Sequence, residues 1–189
     1  MKTTLLIVDA QNLFCHSDGN FGCHYSGRSF ITINKTIERI RGLIWHAVRH
    51  HMSVVYLCSN KHARSGHEGR WQTDIVTALK PPPLYPLLFW RRGEDYREPI
   101  LSRAVLDYFR DYFVSHVIIA GFYGHLCVVR ATMEALRAPL FVTVASDCAY
   151  PTITARKQRS LREHFLQKEI LTESAGYFLQ FKSYTEIIA

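Results

Sequence analysis

No stretch of this 189-residue chain approaches the roughly 20 consecutive apolar residues that a membrane span requires. The opening MKTTLLIVDA holds only four apolar residues before an aspartate, too few for the core of a secretion signal, and reads as a first strand. Cysteine is scarce: five residues, at 15, 23, 58, 127 and 148, an odd number spread over a chain with ample core, make no disulfide framework. A soluble cytoplasmic protein in a reducing compartment is the expectation. Repeats, low-complexity segments and an interdomain linker are also lacking, and Pro81-Pro82-Pro83 reads as a turn inside a domain. A dense basic face is missing too. Lys and Arg number 23 against 16 Asp and Glu, a net +7, but they are scattered, and the one cluster, Arg156, Lys157, Arg159 and Arg162, reads as a helix surface. Nucleic acid is therefore not the expected partner. A positive pocket drawing in a carboxylate-bearing small molecule explains the charge at least as economically.

What the chain does have is 48% hydrophobic content, enough for one compact domain over residues 1–189. Leu5 to Val8, Val54 to Cys58, Leu87 to Trp90 and Val117 to Ala120 are continuous apolar runs, the pattern of strands buried on both faces, and Leu140 to Val144 gives a further strand closed by Ser146-Asp147. Helical spacing links them: Ile33, Ile37, Ile40, Ile44 and Ala47/Val48 within 32–50, a short helix over 71–79, and amphipathic segments over 100–113 and 154–167. Residues 10–30 read as a long surface loop, Ser59 to Gly69 as a second polar loop, and a further edge strand is expected near Ile170-Leu171, before a terminal segment packing through Tyr177, Phe178 and Phe181. This alternation predicts a three-layer α/β/α sandwich with a mostly parallel sheet of about six strands.

In such sheets the carboxyl edge carries the ligand crevice. Asp9 closes the first strand there. The stretch HVIIAGFYGHLCVVRATMEAL (116–136) reads as a strand, a tight turn over Gly121 to Gly124, and a helix from His125 with Leu126, Val129, Met133 and Leu136 on one face. Cys127 falls in the first turn of that helix, where backbone N–H groups and the helix dipole favour a thiolate. A carboxylate nearby can accept the thiol proton, and the N–H groups of the turn, with Tyr123 and Gly124, are candidates for an oxyanion hole. Both residues also have plain structural readings, Cys127 as a small buried hydrophobe and Asp9 as a cap.

LLIVDAQNLF (5–14), the Asn60/His62 loop, GFYGHLCVVRATMEAL (121–136) and VTVASDCAYP (142–151), in this order and spacing, resemble the isochorismatase-like cysteine hydrolase superfamily. The resemblance implies a single Rossmann-like hydrolase domain, often oligomeric, that cleaves amides, ureides or related C–N bonds through a covalent thioester. Asp9 matches the family aspartate and Cys127 the nucleophile. The family lysine is missing: at the end of LLFWRR stand Trp90 and Arg91. Arginine keeps lysine's charge but does not exchange protons, so Arg91 either orients the aspartate or marks a site that has lost normal turnover. Gly124 replaces a family threonine, and a non-proline cis peptide is expected near Phe122-Tyr123.

Nicotinamidase-type members hold a metal after the second strand. Here the corresponding residues are Asn60, His62 and His67, a weaker set because the amide lacks a carboxylate's charge, and neither metal nor cofactor is expected. Cys15-His16 and Cys23-His24 match no zinc module, and His46 and His50, four apart on a helix, read as surface residues. Gln11, Phe14, Phe21, Trp90 and Phe122 are the expected pocket walls, with Tyr123 beside them. Two rival functions stay open: a vinyl ether hydrolase using Asp9 as acid without the cysteine, and a pseudo-hydrolase that only binds its ligand.

Overall fold

The computed structural model describes residues 1–60, 67–80, 87–91, 98–150 and 178–189. Its centre is a six-stranded sheet of order β3-β2-β1-β4-β5-β6. The strands are β1 (Lys2–Val8), β2 (Ser53–Ser59), β3 (Leu87–Arg91), β4 (Val114–Gly121), β5 (Phe141–Ala149) and β6 (Leu179–Lys182). Every neighbouring pair is parallel. The doubly wound sheet expected from the apolar runs is thus present.

The pleat explains why those runs had to be apolar throughout. Alternate residues feed opposite faces: Leu6, Val8, Val55, Leu57, Val117, Ile119, Val142 and Val144 enter one core, while Leu5, Ile7, Val54, Tyr56, Ile118 and Ala120 enter the other. The first core is covered by helices α4 (Arg103–Asp111) and α5 (Val129–Arg137), the second by α2 (Gly27–Arg49) and by the short α1 (Asn12–Cys15). Glu134 of α5 holds the chain entering α4, its carboxylate accepting from the N–H groups of Ile100 at 3.0 Å and Leu101 at 2.7 Å.

Several boundaries differ from the sequence reading for identifiable reasons. Helix α2 begins at Gly27 because Ser26 caps it, its hydroxyl accepting from the Ser29 N–H at 3.3 Å. Residues 10–30 are not an open loop: α1 and a 3-10 turn at Gly22–His24 fold back, and Leu13, Phe14 and Cys15 are buried. The expected helix over 71–79 is split into α3 (His67–Thr73) and a 3-10 turn at Thr77–Leu79. In α5 the core face is Val128, Val129, Ala131, Thr132 and Ala135, whereas Leu126 is 39% exposed. A π turn over Gly124–Val128 precedes that helix, and its extra residue rotates the phase on which the Leu126 face was counted.

The carboxyl terminus adds a strand, β6, where only a packing segment is expected from sequence, and then helix α6 (Tyr184–Ile188), opened by a Ser183/Glu186 capping box. Asp147 of β5 anchors it, accepting from the Tyr184 N–H at 2.7 Å while pairing with Arg39 of α2 at 3.5 Å. Gly42 lets Tyr184 approach α2, since a Cβ there would lie 2.3 Å from the phenol oxygen. The expected helix over 154–167 and edge strand at 170–171 lie outside the described residues.

Candidate active site at the carboxyl edge of the sheet

Strands β1 and β4 run side by side in register, Val8 opposite Gly121, and the chain leaves both at the same edge. Asp9 follows β1 directly. It is fully buried, sits in the left-handed region at φ 56°, and donates its N–H to Leu57 O at 2.9 Å, so β2 holds the backbone that carries the carboxylate. A non-glycine residue in that region carries strain of order 1–3 kcal/mol, which the surrounding hydrogen bonds sustain.

The turn after β4 is equally constrained. Gly121 has φ 141°, and a Cβ on it would meet Val8 O at 2.1 Å, so no other residue fits this close approach to β1. Phe122 N–H donates to Val8 O at 2.8 Å. The chain leaving β5 clamps the other side: Tyr150 N–H reaches Gly121 O at 2.9 Å and Gly124 N–H reaches Tyr150 O at 2.7 Å. All described peptide bonds are trans, which corrects the expected cis bond at Phe122-Tyr123. The chain reverses instead through Tyr123, left-handed at φ 57°, whose carbonyl accepts from Leu126 N–H at 2.9 Å and Cys127 N–H at 2.8 Å. Cys127 thus sits in the π turn at the start of the helix, 8% exposed, at the same edge as Asp9. In this structure the N–H groups of Gly124, Leu126 and Cys127 have carbonyl partners.

Two expected pocket walls turn out to be scaffold. Gln11 is fully buried and its amide is saturated: Nε2 donates to Ser59 O at 2.8 Å and Thr73 O at 2.7 Å, and Oε1 accepts from Ser59 N–H at 2.7 Å. It brackets β1, β2 and α3 together. Phe122 is 1% exposed and packs in the core against Tyr150. Phe14 and Phe21, by contrast, stack at 5.4 Å, and Tyr123 meets them at 5.0 and 5.6 Å, an aromatic wall running up to the cysteine turn.

Tyr25, Tyr150 and Cys15 also join this edge, none of them expected there from sequence, where Cys15 had been weighed only with His16 as a zinc ligand. Tyr25 packs edge-on against Tyr150 at 5.6 Å, and burial, followed by the neighbouring Tyr123, Tyr150 and Cys15, pushes its phenol far above the ordinary range. Cys15 lies against Asp9, its sulfur 4.0 Å from the Asp9 carbonyl oxygen, and burial, then the Asp9 charge, raises its thiol well above the usual value. It is a neutral thiol beside a carboxylate. The available signal was the density of aromatics and cysteines in 10–30, which has no periodicity to place it.

Trp90 and Arg91 end β3, their backbones paired with Cys58 and Ser59, so Arg91 closes its strand at this same edge with β2 between it and β1. Their side chains lie outside the described residues, as do His62 and the side chain of His67; Asn60 is exposed. Cys23 is exposed and Cys15 buried, and among the described residues no three potential metal ligands cluster. Of the described grooves, the one of about 640 Å³ lies between α4 and α5 and the one of about 320 Å³ between α4 and the chain at Val114, Ala138 and Leu140, and neither Asp9 nor Cys127 lines them. No described helix is long and apolar enough to cross a membrane.

A wholly parallel sheet with helices on both faces, and with Asp9 and Cys127 at its carboxyl edge, defines an α/β protein of the doubly wound class. Residues 3–174 match the Isochorismatase domain model, and the chain belongs to that family of hydrolases. Similar solved structures include an isochorismatase-like hydrolase from Alkaliphilus metalliredigens, 15% identical with TM-score 0.73, covering 100% of this chain and 98% of that one. The N-carbamoylsarcosine amidase of Thermoplasma acidophilum is 18% identical with TM-score 0.70 and 97% of each chain covered. The pyrazinamidase of Pyrococcus horikoshii, in complex with zinc, is 14% identical with TM-score 0.70, covering 97% of this chain and 99% of that one. At these identities the likeness speaks for the fold. No curated protein matches.

Proposed function

We propose that the protein hydrolyses an amide, ureide or related C–N bond of a small molecule, with Cys127 as nucleophile, Asp9 as base and Arg91 as electrostatic partner. The observation that carries this reading is that a buried carboxylate and a helix-initiating thiol follow adjacent parallel strands at one edge of the sheet. Asp9 takes the Cys127 proton and the thiolate attacks the carbonyl carbon, forming a C–S bond and an oxyanion. Collapse breaks the C–N bond, and the amine leaves with the proton held on Asp9. Water then attacks the thioester, giving its proton to Asp9, which returns it to the departing thiolate. Arg91 supplies charge only, holding the aspartate ionised. Phe14, Phe21 and Tyr123 form the wall for a planar substrate, and the net positive charge suits one that carries a carboxylate.

The engaged N–H groups of Gly124, Leu126 and Cys127 favour a second reading, in which Asp9 protonates a vinyl ether and no oxyanion forms at the turn. Cys127→Ala and Asp9→Asn separate the two. A C–N hydrolase loses turnover in both variants, whereas vinyl ether cleavage survives the first and not the second. Labelling by iodoacetamide near neutral pH supplies an independent check: Cys127 should react faster than the exposed Cys23, and equal or slower reaction rules the nucleophile out.

A further inference from the structure

The carboxyl-terminal end of α2 carries a second feature with chemistry of its own. His46 and His50 lie one turn apart, and the His50 N–H donates to His46 O at 3.0 Å, so the turn between them is closed. Their rings share one face of the helix, with centroids 4.3 Å apart and planes inclined by 38°. The helix end beneath them is fixed. His51 turns left-handed at φ 54°, Met52 N–H reaches back to Ala47 O at 2.8 Å and His51 N–H to Val48 O at 3.2 Å, closing the Schellman pattern usually built on glycine.

We infer that His46 and His50 form a two-point chelate for a borderline divalent transition-metal ion such as Ni²⁺ or Zn²⁺. Imidazole nitrogens bind such ions at about 2.0–2.1 Å. Two rings already in contact on one helical face reach a shared ion by side-chain rotation alone. Among the described residues no third ligand joins the pair, so water fills the remaining positions and the affinity is that of an open chelate, further weakened by the Arg49 charge. The site is separate from the hydrolytic one. Helix α2 leads into β2, whose first residue Ser53 pairs with Thr4 near the start of β1, so the pair lies at the edge opposite Asp9 and Cys127.

Titration calorimetry of the full chain with Ni²⁺ near neutral pH tests this. Ni²⁺ is the better probe because Cu²⁺ would oxidise the exposed Cys23. The expected result is a Ni²⁺ site that both His46→Gln and His50→Gln weaken by about tenfold or more, that His62→Gln leaves unchanged, and that binds Mn²⁺ far more weakly than Ni²⁺. Ni²⁺ should also raise the thermal midpoint of the unaltered chain and not that of His46→Gln. Binding that survives either helix substitution, or that disappears with His62→Gln, overturns the chelate. The glutamine variants keep the helix, and their circular dichroism separates lost binding from lost fold.

Discussion

Two cysteines stand at one sheet edge, in different local settings. Cys15 is 5% exposed and Cys127 is 8% exposed, so burial does not distinguish them. Cys15 is the last residue of the four-residue α1, near the Asp9 carboxylate, and everything around it favours the neutral thiol. Cys127 opens a continuous helical run from Gly124 to Arg137, where the dipole favours negative charge. A carboxylate beside a thiol raises that thiol's pKa and helps only when something else stabilises the thiolate. In the proposed mechanism, position along a helix, more than nearness to Asp9, is what sets Cys127 apart from Cys15.

The largest expected effect breaks that comparison directly. Cys127→Ala should lower C–N hydrolysis by on the order of a thousandfold or more and, as a truncation in the core, cost about 1–2 kcal/mol of stability. Cys15→Ala should retain turnover within a few-fold at a similar cost in stability, about 1–2 kcal/mol by urea unfolding. Equal loss of activity in both variants would mean that the two thiols act together.

How much of this was legible in sequence follows from the physics of each element. Strands β1, β2, β4 and β5 announced themselves because a parallel strand covered on both faces must be apolar at consecutive positions. Strand β6 did not, since Leu179 is its only buried residue and the edge leaves Gln180 exposed. Asp9 was readable as a strand-end residue and Cys127 as one in the first turn of the helix after a strand. The form of the turn between them was not: left-handed Tyr123 does the work expected of a cis bond, and a π turn shifts the helix face by one residue, neither of which leaves a periodic trace. Gln11 looked like a pocket residue because a buried amide and a ligand-binding amide have the same letter; only its three backbone partners tell them apart.

Both thiols depend on backbone joins that can be cut separately. Gly121→Ala adds a Cβ against Val8 O at a φ that side chains rarely adopt, and should cost several kcal/mol, about 3 or more, displacing the Cys127 turn. Gln11→Ala strands the Ser59 N–H and the carbonyls of Ser59 and Thr73, at about 2–3 kcal/mol. Urea midpoints rank the two. Iodoacetamide rates should fall at Cys127 in the first variant and rise at Cys15 in the second, because α1 follows Gln11 directly.

The smallest effect lies at the opposite edge and serves as the control for both thiols. His116 of β4 is held between two hydroxyls, Thr3 at 3.2 Å and Thr143 at 2.8 Å, and burial, then Lys182, depresses its pKa below the ordinary histidine value. Below the unfolded value of about 6.5 the unfolded chain therefore binds more protons than the folded one. Its contribution to stability is full above that pH and is lost as the pH falls toward the lower folded value. His116→Gln should flatten this acid-side decline in the urea midpoint between about pH 7 and 5, while the labelling ratio of Cys127 to Cys15 stays the same. A change in that ratio would couple the two edges of the sheet and remove the separation on which the thiol comparison rests.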